Sequence, residues 1–182
     1  MEAAAMLMEL SKPIGKKEVT SLASNSLNSI SGLIKLCLYT GEVGFRAAWI
    51  TEIIAHTFPA QFDEHVDEFV EAYIILKNQS AQRHFTKILM ELTNGKRIQI
   101  HRLLPAVETI IETTFEWMIN PQTPVAVKVN CMDVLYNLKE TDRWIADELR
   151  AQIEFQLKDG SAALQSRGKK VLKKLSRCKR KF

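Results

Sequence analysis

Four basic side chains, Arg46, Arg83, Lys128 and Arg167, recur 37, 45 and 39 residues apart, each after a short polar turn. Guanidinium and ammonium groups in such a row could hold phosphate, since charge-assisted donors bind it well. The plainer reading is that each one hydrogen-bonds carbonyls or an acidic neighbour in the adjoining turn and fixes how helices stack. A second concentration of charge lies at the end of the chain. From Arg167 onward there are nine Lys/Arg and no Asp/Glu, and Arg167, Lys169, Lys170, Lys173, Lys174 and Arg177 share one helical segment. The preceding residues hold 16 basic and 21 acidic side chains, a net of −5. The pI near 9.0 therefore belongs to the tail. Cations at this density suit an anionic partner: RNA, DNA, an acidic protein or lipid headgroups. A terminal helix with a polar outer face, its lysines favoured by the helix dipole, is the plainer account.

Other chemistry finds little support in the residue pattern. His56, His65, His84 and His101 offer neither His-x-x-x-His nor His-Glu-x-x-His spacing, so no zinc site is expected and solvated or capping roles are the default. There is no Gly-x-Ser-x-Gly, phosphate-cradling glycine loop or dinucleotide fingerprint. Asp63/Asp67 and Glu64/Glu68 stand at i, i+4, which a charged helix face explains without acid–base chemistry. Trp49, Trp117 and Trp144 fall in three different segments; Trp49 and Trp117 read as core. Cys37, Cys131 and Cys178 have no paired spacing, which argues against a disulfide framework and for a reducing, cytoplasmic setting. No catalytic set and no cofactor are expected. No apolar run approaches the roughly 18 residues of a membrane span, and the acidic, short apolar start of the chain reads as a helix rather than a secretory signal.

Glycine and proline are sparse and fall between periodic segments, as helix punctuation does. The pattern predicts helices over about 2–11, 16–25 and 28–39, the last stopped by Gly41. The helix of 41–58, closed by Pro59, is apolar nearly all round: Val43, Ala47, Ile50, Ile54 and Phe58 form one stripe, and Phe45, Ala48, Trp49 and Ile53 cover much of the rest. Neighbours must wrap such a helix, so Arg46, Thr51, Glu52 and His56 have restricted places to go. Residues 61–77 read as one clean amphipathic helix, and further helices follow over about 80–93, 105–119, 124–138, 143–157 and 161–178, with 96–105 irregular or a short turn of helix. No strand pattern is convincing.

The segments beginning at Val43, Ser80, Val125 and Leu164 align with one another, each placing its basic residue in the first turn of a second helix. These residues resemble HEAT repeats. Glu42, Val43, Arg46 and Ala47 fit best, and the larger middle gap matches an insertion at 94–104. In detail the chain resembles small bacterial HEAT-like proteins over about residues 26–178. The resemblance implies an all-α, right-handed α-α superhelix of about four helix pairs within a single domain of residues 1–182. Residues 1–25 would supply N-terminal helices, 26–178 the repeats and 179–182 a basic end. First helices would form the outer layer and second helices the inner one, since no pair buries its apolar face alone. The expected function is a non-enzymatic interaction scaffold for a protein partner. The alternative is a nucleic-acid binder, related to HEAT-like alkylpurine DNA glycosylases and acting through the basic C-terminal helix. The glycosylases' Trp/Asp arrangement finds no match here, and Asp133 is the only carboxylate within 124–138.

Overall fold

The computed structural model describes residues 3–94 and 100–178. Among them only helices and turns occur. Helices α1 (Ala3–Leu10) and α2 (Lys16–Asn25) precede four pairs: α3 (Ile30–Cys37) with α4 (Gly41–Thr57), α5 (Pro59–Asp63) and α6 (Val66–Ile75) with α7 (Gln79–Thr93), a short α8 (Ile100–Leu103) and α9 (Val107–Ile119) with α10 (Val125–Leu138), and α11 (Arg143–Gln156) with α12 (Ala162–Cys178). The second helices form a continuous layer in which α4 packs on α7, α7 on α10 and α10 on α12, while α3, α6 and α9 follow one another in the other layer. This is a helical solenoid. Residues 95–99, in the expected insertion, and the basic end 179–182 lie outside the described residues.

The apolar helix is wrapped as its composition requires. α4 touches α1, α2, α3, α5 and α7, and Ala47, Ala48, Ile50, Ile54 and Ala55 are buried in those contacts. Small residues let the neighbours come close: the turn carbonyls of Cys37 and Tyr39 press on Gly44, where a Cβ would collide with them. Gly41, at φ +67°, takes the chain into α4 through a backbone region that L side chains disfavour.

Two expectations are corrected here. The helix expected over 61–77 is broken, because the chain leaves helical hydrogen bonding at Glu64 and His65 between α5 and α6. The apolar spacing runs straight through the break, since Phe62 and Val66 on its two sides both reach the core. Trp117 is buried, but Trp49 is only partly so, packed against the core beside Phe45 at a centroid separation of 6.1 Å. Trp144 is 48% exposed and stacks on Phe115. Trp49→Ala is accordingly expected to cost about 2 kcal/mol in urea denaturation, below the ~3–5 kcal/mol of a fully buried ring.

Candidate functional site: the inter-helix clasps and the basic last helix

Polar side chains on a helix flanked by two others must find partners across the junction, because an unpaired buried group costs about 1–3 kcal/mol. Each junction of the second-helix layer holds such a clasp. Between α4 and α7, Glu52 accepts hydrogen bonds from the His84 ring and from Lys87 Nζ (2.8 Å), and the Phe45 ring lies 5.3 Å from that of His84. Burial acts to raise the Glu52 carboxyl, but its hydrogen bonds to His84 and Lys87 outweigh this and hold it below the ordinary carboxylate range. Between α7 and α10 two clasps repeat seven residues apart. Asn130 Nδ2 donates to Thr86 Oγ1 (3.0 Å) and the Arg83 carbonyl, and Asn137 Nδ2 donates to Thr93 Oγ1 (3.1 Å) and the Met90 carbonyl. Between α10 and α12, Arg167 pairs with Asp133, a nearly buried carboxylate. Asn137→Ala removes two of these bonds at a partly accessible site, so it should lower unfolding free energy by about 1 kcal/mol with an unchanged denaturant slope.

The four recurring basic residues divide. Arg46 donates to the Leu10 carbonyl of α1 and to Glu42, both at 2.9 Å, and Arg167 meets Asp133. The Arg83 side chain is exposed, and Lys128 is partly buried, which lowers its ammonium pKa. Nor do all four sit in the first helical turn: counted from the helix start, Arg46 and Arg167 are sixth, Arg83 fifth and Lys128 fourth. Each second helix begins within one residue of its expected start, so the recurring basic position itself lies at or past the end of the first turn.

His84 corrects the expectation of a solvated or capping histidine: it is buried, with Nε2 lacking a protein partner. His56 stays exposed beside Glu91 at 3.2 Å, and His65 lies 3.0 Å from Glu68 at the α5–α6 break. No group of three metal-ligating side chains occurs among the described residues. Cys37 and Cys131 are free and buried; burial pushes the Cys37 thiol up to about 12 and Cys131 higher still, so neither is a thiolate nucleophile. No helix among the described residues is long and apolar enough to cross a membrane.

The basic last helix has a clear division of faces. Leu164, Gly168, Val171 and Leu175 form the buried stripe against α10 and α11. Arg167 and Lys174, seven residues apart, lie on the flank toward α10, where Arg167 finds Asp133 and the Lys174 ammonium sits 4.9 Å from the centre of the Tyr136 ring. Lys139 approaches the same ring at 4.5 Å. Lys169, Lys170, Lys173 and Arg177 point away from the core and are exposed.

The clasps escaped a reading of single segments because partners stand about one repeat apart. Glu52 and His84 are 32 residues apart, Asp133 and Arg167 34, and Thr86 and Asn130 44. Polar residues offset by one repeat on successive second helices are the signal that could have found them. No curated protein and no solved structure matches the chain. A HEAT repeat domain matches residues 6–175, in keeping with the stacked pairs and their period. The chain belongs to the HEAT repeat family.

Proposed function

We propose that this chain is a non-enzymatic scaffold that holds another macromolecule on its helical-repeat surface. One observation carries the reading: the carboxylates and threonine hydroxyls at the junctions of the second-helix layer are engaged in holding helices together. Glu52 is tied to His84 and Lys87, Asp133 to Arg167, and the Thr86 and Thr93 hydroxyls to Asn130 and Asn137. Among the side chains that the same layer leaves accessible are Phe45, Trp49, Met90 and Tyr136, each in part, and the exposed Arg83. Aromatic residues, methionine and arginine are the types enriched at protein interfaces, which supports a protein partner on these helices. The free, buried Cys37 and Cys131 support residence in a reducing compartment, the cytoplasm. The test is an affinity pull-down from native lysate with and without nuclease. A partner protein retained in both arms, and lost on Trp49→Ala combined with Arg83→Ala, is the expected result. Retention of nothing above the tag-only control would overturn the reading.

A further inference from the structure

The exposed side of α12 is cationic and carries no large apolar group. Lys169, Lys173 and Arg177 stand at i, i+4 and i+8, about 6 Å apart along the axis, with Lys170 beside them. None of the four makes an ion pair with a described residue, and among the described side chains of this helix no large hydrophobic one is exposed. Their spacing is close to the axial rise of two nucleotides on one strand, about 7 Å. The flank is fixed by the Arg167–Asp133 pair and by Lys174 over Tyr136, so the helix presents its cations from an anchored position.

We propose that this face binds the phosphate backbone of nucleic acid without reading its sequence. The inference goes beyond the scaffold reading, since it names a second surface and another class of partner. Protein interfaces are depleted in lysine and built around apolar or aromatic anchors, which this face lacks. A helix that lies on a membrane surface buries an apolar face among the lipids, but the apolar stripe of α12 is already committed to the core through Leu164, Val171 and Leu175. A row of unpaired cations without apolar anchors matches the polar, counterion-releasing contacts that dominate backbone recognition. Phosphate contacts of this kind position a protein on a strand and carry no sequence information.

The experiment titrates full-length protein into labelled 20-base-pair duplexes of two unrelated sequences, and into a single strand of one of them, at 50 and 200 mM salt. Vesicles containing phosphatidylserine form a separate arm. Wild type is expected to bind both duplexes with similar affinity and to lose about 100-fold between the two salt concentrations if four phosphates are contacted. The variant K169Q/K170Q/K173Q/R177Q, its fold checked by circular dichroism, should lower the slope of log affinity against log salt by about 3. K169R/K170R/K173R, which retains the charge, should bind like wild type. Absence of oligonucleotide binding at 50 mM salt, equal binding by the glutamine variant, or binding to the vesicles alone would overturn the proposal. A nuclease-resistant protein partner in the pull-down is unaffected by any of these outcomes, so failure here is distinguishable from failure of the scaffold reading.

Discussion

Phe69→Ala is expected to lower the unfolding free energy by about 3–5 kcal/mol, a large share of the stability of a domain of this size. Phe69 lies on α6 with no exposed surface, and its ring is stacked on Phe85 of α7 at 4.8 Å between centroids. Phe62 of α5 and Tyr73 of α6 complete the cluster, at 5.6 and 6.3 Å. The alanine variant loses the transfer energy of the ring and the aromatic pairs, each worth about 0.5–1.5 kcal/mol beyond burial. It also leaves a cavity among the rings contributed by α5, α6 and α7. In a solenoid the loss falls on the second helix pair first and weakens its contacts with the pairs on both sides. Urea denaturation followed by far-UV circular dichroism should show the midpoint falling steeply for Phe69→Ala and much less for Phe69→Leu, which fills most of the space. A shift equivalent to under 1 kcal/mol for the alanine variant would mean that this cluster is not the centre of the core.

The architecture was legible because it rests on local signals. Helices at 80–93 and 124–138 follow from the polar turn at 78–80 and from Pro124, which suits a first turn, and the weaker Ser/Thr-rich segment 16–25 reads as a helix too. The structure places α7, α10 and α2 within one residue of those bounds, with Pro124 just before the first turn of α10. Asn78 caps α7 as its residue type suggests, and its amide also reaches back to the Tyr39 and Gly41 carbonyls of the preceding turn. The interruption at Glu64 and His65 had no such signal. Neither residue is glycine or proline, and a core that takes Phe62, Val66 and Phe69 from both sides of a bend looks, in sequence, like a single stripe. The clasps were illegible for a different reason: a carboxylate on one helix says nothing about which side chain stands a repeat away. Glu52 was marked only by being a charge on a helix with few open directions, and His84 only by type. Tyr73 and Thr114, 41 residues apart, joined at 2.9 Å and both buried, are the corresponding case in the other layer, between α6 and α9. Helix positions come from periodicity within a segment, whereas pairing depends on register between segments, which only the stacked structure fixes.

Glu52→Ala should cost about 2–3 kcal/mol at neutral pH, a large effect for a side chain that is partly accessible. The loss falls mainly on His84. Its Nε2 is already without a protein partner, and removing the carboxylate would leave both ring nitrogens unpaired in a buried position between α4 and α7. Lys87 loses less, because its side chain is 40% exposed and its ammonium can turn to water. The pH dependence identifies the cause. The Glu52 carboxyl lies below its ordinary value of 4.5 in the folded chain, because hydrogen bonds from His84 and Lys87 outweigh burial. A folded-state value below the unfolded one means that its contribution is present above about pH 5 and is lost as the pH falls through the folded value. Glu52→Gln keeps the shape and can still accept a hydrogen bond, but it carries no charge to titrate. The stability advantage of wild type over Glu52→Gln should therefore be full near pH 5 and shrink steadily toward pH 3 in urea denaturation. An advantage that stays constant across that interval would show that the side chain acts through packing alone, and the ionic clasp between the first two repeats would have to be abandoned.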